Sequence, residues 1–245
     1  MMTRPDAAST LGLPRQAIVL AAGRGERLRP LTDRLPKPLV PLLGHALIDH
    51  HLHRLRRAGI QRCVINIAHL GNLISDHVGN GSRYGLAVVY SREPPGALET
   101  GGGIRQALSL LDDAPFIAVN ADIYSEFDYL SLGHRPRSLA HLVLIDNPHH
   151  QPRGDFTLCG SRVGNAPIPR LTFSGIAVYS PRLFDEAPTA TRFPLAPLLR
   201  AAATRGDVTG ERFAGRWFDI GSRARLARAT AELDALHETG LPLKT

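Results

Sequence analysis

Short apolar runs alternate with amphipathic stretches over the first 145 residues of the chain. The runs are rich in β-branched and aliphatic residues and predict strands, whereas the stretches between them show the apolar spacing of helices. The predicted strands are 17–20, 63–67, 87–90, 116–120 and 142–145, and the predicted helices are 46–58, 73–78 and 104–111. This alternation is typical of βαβ units, so we expect a mainly parallel sheet with helices on both faces.

The rhythm changes after Asp146. Two further runs, 156–159 and 176–179, predict strands, but Pro- and Gly-rich connections rather than long helices join them. Helices are predicted at 195–204 and 223–237, the last with an apolar stripe. The second half is therefore expected to be antiparallel or mixed, which makes the whole an α/β fold with a mixed, centrally parallel sheet flanked by helices.

Length and composition limit the class of protein. The chain has 245 residues, of which 43% are apolar and 21% charged, as in ordinary globular proteins and unlike disordered or collagen-like chains. Residues 1–14 are small and polar and predict a flexible N-terminal extension. No internal repeat or long linker divides residues 15–245, so we expect one domain there.

Neither a membrane span nor a secretion signal is expected. No apolar stretch approaches the roughly 20 residues of a spanning helix. The run 17–23 has the size of a signal-peptide core, but Asp6 and Pro14 precede it and a charged glycine loop follows it. A cytoplasmic protein is the prediction. The two cysteines are far apart, without the spacing of a zinc site or a redox pair.

The net charge of +7 favours an anionic partner. The basic residues are scattered, aromatic residues make up only 6%, and no nucleic-acid-binding motif is present, so no nucleic acid is expected. Phosphate-bearing small molecules remain. Of 29 basic residues only Lys37 and Lys244 are lysines, which draws attention to each.

The segment that follows the first predicted strand contains the most informative residues. The strand runs into Ala21, Ala22, Gly23, Arg24 and Gly25. Successive backbone amides without bulky side chains allow a chain to approach phosphate oxygens closely. Arg27 and Lys37 follow and add full positive charge. We therefore expect this loop to bind phosphate groups.

Two common phosphate motifs are excluded here. The dinucleotide fingerprint requires a third glycine where this chain has Leu28, and the P-loop requires a Gly-Lys pair, which occurs nowhere. A glycine pair after a strand is also compatible with an ordinary turn. The wider segment decides between these interpretations.

Residues 20–32 read L-A-A-G-x-G-x-R-L-x-P-L-T, and P-K-P follows at 36–38. In these segments the chain resembles the sugar-1-phosphate nucleotidyltransferases. The resemblance extends over nearly the whole chain and implies a single Rossmann-like nucleotidyltransferase domain. It also implies a nucleoside triphosphate site in the loop. The expected nucleotide-binding residues there are Ala21, Ala22, Gly23, Gly25, Glu26, Arg27 and Lys37.

The resemblance implies catalytic roles for Arg27 and Lys37. Arg27 would contact the triphosphate, and Lys37 would neutralise charge around the α-phosphate and the incoming sugar phosphate. Prolines on both sides restrict the backbone around Lys37, which helps to aim its side chain.

Two aspartates occupy positions that the resemblance assigns to a metal. Transfer of a nucleotidyl group brings two polyanions together and requires a divalent cation, normally Mg²⁺ on carboxylates. Asp122 follows the strand predicted at 116–120, and Asp219 lies in a W-x-D-x-G segment. A strand-end turn and a helix N-cap are the respective structural alternatives. Ala121 departs from the family pattern, which has glycine before the first aspartate.

Base and sugar contacts are assigned to later segments. Thr100, Gly101 and Gly102 precede the helix predicted at 104–111, where the family contacts the nucleobase; a plain helix-entry turn is the alternative. The expected sugar-binding residues are Asn120, Asn147, Asp155, Ser174 and Gly175.

Within the family, these segments look most like the subgroup that transfers UMP from UTP to N-acetylmuramic acid α-1-phosphate in cell-wall sugar recycling. Glucose 1-phosphate with dTTP or UTP, or mannose 1-phosphate with GTP, are the alternative substrates. A non-catalytic nucleotide-sugar sensor is the alternative outside catalysis. The residues do not predict the number of subunits or the order of substrate binding.

Overall fold

A computed structural model of the chain describes residues 12–94, 96, 98–135, 137–167, 169–189 and 191–238. Most of the predicted extension, 1–11, lies outside the described residues, as does Lys244. The helices are α1 (Leu47–Arg57), α2 (Gly71–Val78), α3 (Glu99–Ala107), α4 (Leu195–Arg205) and α5 (Arg223–Glu238). The strands are β1 (Gln16–Leu20), β2 (Pro41–Leu42), β3 (His45–Ala46), β4 (Arg62–Ile67), β5 (Ala87–Arg92), β6 (Phe116–Asn120), β7 (Ile123–Ser125), β8 (Ala140–Ile145), β9 (Thr157–Cys159), β10 (Arg162–Gly164), β11 (Thr172–Tyr179), β12 (Val208–Arg212) and β13 (Trp217–Asp219).

Nine of these strands form one sheet in the order β5-β4-β1-β6-β11-β8-β12-β10-β9. The first four run parallel to one another, and β11 runs antiparallel to both β6 and β8. The parallel strands read as continuous apolar runs because both of their faces are buried. The sheet thus confirms the predicted mixed, centrally parallel arrangement, with the change of direction in the second half.

Helices cover both faces of the sheet. On one face α1 packs Leu52 and Leu55 against the strands, and on the other α3 and α4 contribute Ile104 and Leu199. A third cluster lies beneath α5, where Leu233 is fully buried. None of the helices in the described ranges is long and apolar enough to cross a membrane.

The largest difference from the sequence-based prediction concerns α3. Gly101 and Gly102 were expected to precede a helix starting at 104, but the helix begins at Glu99 and contains both of them. A Cβ on Gly101 would lie 2.4 Å from the Phe193 ring, and one on Gly102 would lie 2.2 Å from the Thr191 carbonyl. Glycine is a poor helix former, so close packing against 191–193 explains these residues better than local propensity does.

Several strands were not predicted from the sequence. The short strands β7, β10 and β13 have three residues each, and β12 has five. Strand β11 begins at Thr172, four residues before the predicted start, and its register with β8 shifts between Phe173 and Ala177. Strands β10, β11 and β12 belong to the second half of the large sheet, whereas β7 and β13 pair with each other in a separate two-stranded ribbon beside the site described next.

Candidate active site

The candidate site lies where the parallel strands end. Leu20, the last residue of β1, pairs with Asn66 on one side and Asn120 on the other, so three loops begin next to one another. Ligands of open α/β sheets bind at this edge. We call the 220 Å³ space here the glycine-loop cleft. Its main lining residues are Ala21, Ala22, Gly23, Lys37, Asn66, Glu93, Glu99, Thr100, Asn120 and Asp122.

A chain of hydrogen bonds fixes the start of the glycine loop. The Ala21 amide donates to Asn66 Oδ1 at 2.7 Å, and Asn66 Nδ2 donates to Glu93 Oε1, also at 2.7 Å. The second oxygen of Glu93 accepts a bond from the Leu98 amide at 2.8 Å. Asn66 is buried, so its side-chain amide needs hydrogen-bond partners within the protein. Ala21 and Glu93 are these partners, and their bonds hold the start of the loop to β4.

The backbone amides of the glycine loop differ in whether they already donate a hydrogen bond within the protein. The Ala21 amide is already bonded to Asn66, whereas those of Ala22 and Gly23 have no hydrogen-bond partner among the residues that the structure describes. Unpaired amides at the edge of a cleft are suited to bind an anion. Ala22 and Gly23 therefore combine an unpaired amide with a place in the lining of the cleft.

Gly25 and Glu26 lie beside the cleft and not in its lining. Gly25 has φ +65, and a Cβ there would lie 2.9 Å from Thr32 Cγ2. The Thr32 hydroxyl donates to the Gly25 carbonyl at 2.8 Å. Glu26 is exposed and starts a short 3-10 turn. These two residues shape the loop.

Lys37 is the buried cation of the site. It begins a 3-10 turn after an extended Pro36, and only 7% of the residue is exposed. Its Nζ donates to Asp122 Oδ2 at 2.5 Å. The Asp122 side chain is 39% exposed, so the pair joins a buried ammonium group to a carboxylate that water still reaches.

The backbone brings the two predicted metal ligands into one cavity. Asp219 pairs with Ile123 across the β7–β13 ribbon, and the Ile220 amide donates to the Asp122 carbonyl at 2.9 Å. We call this 380 Å³ space the two-aspartate cavity. Its charged and polar lining residues include Arg27, Asn120, Asp122, His150, Asp155, Ser174, Asp219 and Arg225.

Asp219 points its carboxylate at side chains and does not cap a helix. The Arg225 guanidinium donates to it, and His150 Nε2 lies 3.3 Å away. At the start of α5 the Ser222 hydroxyl accepts the Arg225 amide at 3.3 Å, so Ser222 supplies the cap. The N-cap alternative for Asp219 is not what the structure shows.

The two carboxylates fit a magnesium ion that is shared with a substrate. Within the described ranges, no group of three or more His, Cys, Asp or Glu side chains could hold a metal. Mg²⁺ is ordinarily bound by one or two carboxylates together with substrate phosphates and waters. Asp122 and Asp219 match that donor set.

A third space opens on the far side of Asn120. This 250 Å³ space, the aromatic cavity, is lined by Leu20, Thr100, Ala118, Asn120, Asp155, Phe156, Phe173, Gly175, Tyr179, Pro194, Leu195, Ala196, Leu199 and Arg200. Gly175 has φ +83, and a Cβ there would lie 2.6 Å from Asn120 Nδ2. A side chain at 175 would therefore displace Asn120, which lines all three spaces.

Asp155 is held rigidly between the aromatic cavity and the two-aspartate cavity. Its Oδ2 accepts the Phe173 amide at 2.9 Å, and its Oδ1 accepts Gln151 Nε2 at 3.0 Å. The Ser174 hydroxyl accepts the Ile176 amide at 3.1 Å, and Ser174 is almost fully buried. Both residues border the two-aspartate cavity.

Asn147 does not line any of the three spaces. Its amide donates to the Arg170 carbonyl at 2.9 Å, and its Oδ1 accepts the Thr172 hydroxyl at 2.9 Å. Asn147 therefore ties the 147–154 segment to β11. Any effect that it has on a ligand is indirect.

A buried histidine supports the strand next to Asp122. His51 on α1 donates from Nε2 to the Ile123 carbonyl at 2.8 Å. Burial lowers the pKa of His51 to about 3, so the ring is neutral at pH 7. This contact fixes the start of β7, and with it the turn that carries Asp122.

The family model for "Nucleotidyl transferase" matches residues 16–156, more than half of the chain. This chain belongs to the nucleotidyl transferase family. The matched residues contain the glycine loop, Lys37 and Asp122, while Asp219 lies beyond them. The family predicted from the sequence is thus confirmed.

Curated relatives of this nucleotidyl transferase cover most of its length. An N-acetylmuramate alpha-1-phosphate uridylyltransferase from Neisseria meningitidis is 45% identical over 224 residues, covering 88% of this chain and 97% of the relative. A protein of the same name from Caulobacter vibrioides is 34% identical, covering 88% and 98%. Among solved structures, the inositol-1-phosphate CTP transferase from T. maritima superposes with a TM-score of 0.76 at 19% identity, covering 95% of this chain and all of the other. The last comparison supports the fold.

Three polar residues that border the candidate site of this nucleotidyl transferase were not predicted from the sequence. Asn66 is the single amide within the apolar strand β4, and Glu93 follows β5 directly. A polar side chain inside a buried run needs a partner, so the pattern of β4 contained a signal for Asn66. Arg225 was also missed, and nothing in its local sequence indicates that it meets Asp219.

Proposed function

We propose that this chain transfers UMP from UTP to N-acetylmuramate α-1-phosphate, giving UDP-N-acetylmuramate and pyrophosphate. Two relatives with this activity in their names, each matched over almost its entire length, support the choice of base and sugar. The observation that carries the proposal is the Lys37–Asp122 pair at 2.5 Å. It stands where the glycine-loop cleft meets the two-aspartate cavity, because Asp122 lines both.

In the reaction an oxygen of the sugar phosphate attacks the α-phosphorus of UTP. A new P–O bond forms, the bond to the bridging oxygen of the β-phosphate breaks, and pyrophosphate leaves without a covalent enzyme intermediate. Such a transfer depends mainly on positioning and charge stabilisation. The free amides of Ala22 and Gly23, together with Arg27, hold the triphosphate, and Lys37 offsets the charge that accumulates between the two anions.

Asp122 and Asp219 are the residues that would hold Mg²⁺. When bound, the ion would neutralise charge between the two phosphate groups. Lys37 and Arg225 contribute by keeping the two carboxylates directed into one cavity.

The base and sugar sides of the proposal rest on different surfaces. Thr100 borders the cleft and is the exposed base-side candidate, while Gly101 and Gly102 act through the close packing of α3. Asn120, Asp155, Ser174 and Gly175 surround the sugar, and Asn147 supports them from behind. A cytoplasmic location and a role in cell-wall sugar recycling belong to the same proposal, since UTP is a cytoplasmic substrate and N-acetylmuramate is a wall sugar.

The test is pyrophosphate release with Mg²⁺ from a panel of triphosphates and sugar 1-phosphates. We expect the highest kcat/KM for UTP with N-acetylmuramate 1-phosphate. Higher values for glucose 1-phosphate with dTTP or UTP, or for mannose 1-phosphate with GTP, would assign the chain to another substrate. Nucleotide binding without release for every pair would contradict an enzyme and favour a sensor.

The metal assignment has a separate test in Asp219→Asn. We expect the Mg²⁺ concentration for half-maximal activity to rise about tenfold or more, because one of two carboxylate ligands is lost. The control is Asp234→Asn, which removes a carboxylate from exposed surface of α5. Equal magnesium dependence of all three proteins would contradict the assignment.

A further inference from the structure

Among the described residues that line the aromatic cavity, Arg200 has the one cationic side chain. Arg200 follows Ala196 by one helical turn on α4, so both reach the same space together with Leu199. Its guanidinium carbon lies 5.8 Å from the centre of the Phe156 ring. No carboxylate within the described ranges forms an ion pair with it, whereas Arg205 on the same helix pairs with Glu186 and Asp207.

Asp155 is the acidic residue in the described lining of this cavity, and it forms no ion pair with Arg200. Its two oxygens accept hydrogen bonds from the Phe173 amide and from Gln151. Arg27, Arg225 and His150 line the neighbouring two-aspartate cavity and do not border the aromatic cavity. An anionic group that enters the aromatic cavity therefore meets Arg200 and no other cation of its lining.

The remaining lining argues for a partly apolar occupant. Phe156, Tyr179, Leu195 and Leu199 contribute carbon surface, and each is largely buried. A hydroxyl placed against this surface loses its water without gaining a partner, which is costly. A plain hexose would suit the cavity poorly, while a substituent with a methyl group and a carboxylate would satisfy both the apolar wall and the free guanidinium.

We propose that Arg200 is a specificity-determining residue, which binds the carboxylate of the lactyl ether that distinguishes N-acetylmuramate from N-acetylglucosamine. The methyl and acetamido groups of the sugar then pack against Phe156 and Leu199. The cavity shares Asn120, Asp155 and Phe173 with the two-aspartate cavity, so a sugar there has its phosphate beside Asp122. This inference rests on the proposed function and adds the residue that selects the sugar.

The experiment compares two sugars in the presence of saturating UTP and Mg²⁺. N-Acetylmuramate 1-phosphate and N-acetylglucosamine 1-phosphate differ only in the lactyl ether. Arg200→Gln should lower kcat/KM for the first by about 10- to 100-fold, mainly through KM, because a charge-assisted bond is lost. It should change kcat/KM for the second by less than about twofold. Arg200→Lys should restore part of the selectivity, since it keeps the charge without the planar fork.

Arg205→Gln is the matched control, because it removes one positive charge from the same helix outside the cavity. It should leave the ratio of the two sugars at the wild-type value. A substrate whose lactyl carboxylate is a methyl ester completes the test. The kcat/KM of wild type should fall on the ester by about the same factor as the kcat/KM of Arg200→Gln falls on the acid. Arg200→Gln should show no further fall on the ester.

Each outcome separates the inference from the proposed function. If wild type prefers N-acetylmuramate 1-phosphate but Arg200→Gln keeps the preference, or slows both sugars equally, Arg200 does not select the sugar and the proposed function stands. If wild type does not use N-acetylmuramate 1-phosphate, both are overturned. Melting temperatures of all variants establish that a loss is not unfolding.

Discussion

The glycine-loop cleft and the aromatic cavity are built in opposite ways. The cleft takes most of its residues from the ends of parallel strands. Each of these strands is an apolar run that is followed by a polar loop, and the loops lie next to one another. The aromatic cavity draws on β6, β11, α4 and the connections between them, far apart in the chain. The cleft, which is expected to bind the nucleoside triphosphate, is built from regular parallel strands. The aromatic cavity, which is expected to select the sugar, is built from segments without such a repeating pattern.

The difference has a physical origin in the two halves of the sheet. Parallel strands place all their carboxyl ends on one edge of the sheet, so the loops that follow them meet there and form a ligand site without any special packing. In the antiparallel half, β11 shifts register between Phe173 and Ala177, and Gly175 at that point has φ +83. Irregularities of this kind re-aim side chains next to sites. Variation in the second half therefore need not disturb the first.

Lys37→Met tests the part that both halves share, and we expect its effect to be the largest. Activity should fall about 10³-fold, because the one buried cation between the two anions is lost. Stability should change by less than about 1 kcal/mol, since the Asp122 left behind is solvated and not a buried unpaired charge. Lys37→Arg keeps the charge but enlarges a side chain that is only 8% exposed, and should lose about 10²-fold. Near-wild-type activity of Lys37→Met, with stability by urea unfolding unchanged, would contradict the role.

Asn66→Ala should disturb the cleft alone. The change leaves the Ala21 amide and a Glu93 oxygen without their side-chain partner, which costs about 1–3 kcal/mol. We expect KM for UTP to rise about 10-fold or more, with KM for the sugar phosphate nearly constant. Initial-rate kinetics with each substrate varied will show this. The control Asn72→Ala removes an exposed amide on α2. An equal rise in both KM values would mean that the two regions are not separable.

Gly175→Ala should produce the opposite pattern. A side chain at φ +83 is strained by about 1–2 kcal/mol and would collide with Asn120. We expect about a five- to tenfold higher KM for the sugar phosphate and a smaller change for UTP. Gly160→Ala has the same strain, since its φ is +57, but no atom within 4 Å of the added Cβ, and serves as the control. If both variants behave alike, strain rather than the Asn120 contact is responsible.

His51→Gln should have the smallest effect on activity, because His51 supports the strand beside Asp122 and lines none of the three spaces. Because its folded pKa is about 3 and its ordinary value 6.5, the unfolded chain binds this proton first as pH falls. Stability is therefore lost between about pH 6.5 and 3, by up to about 1.4 kcal/mol per pH unit. The variant should flatten that slope in unfolding measurements, whereas the exposed His53→Gln should not. An unchanged slope would contradict the assignment.

The sequence predicted the regular half of the site better than the irregular half. The strand-loop junctions at 20–25 and 120–122 and the P-K-P segment are local patterns, so the family resemblance indicated the loop, Lys37 and Asp122 as candidates, and the structure brings them to one cleft. Asn66 could have been found as a polar residue in a buried strand. The positions of Arg200, Arg225 and Asn147 depend on how distant segments pack. Gly101 and Gly102 were expected before the helix because their contact with 191–193 is not visible in the local sequence.

The β7–β13 ribbon joins Asp219, near the C-terminal end of the chain, to Asp122 at its middle. All strands of the nine-stranded sheet are complete at Arg212, yet Asp219 comes later. The segment that contains the complete sheet is therefore separate from the segment that carries the second aspartate. A product truncated between 212 and 219 would contain every strand of the large sheet but only one of the two aspartates that we propose to hold Mg²⁺.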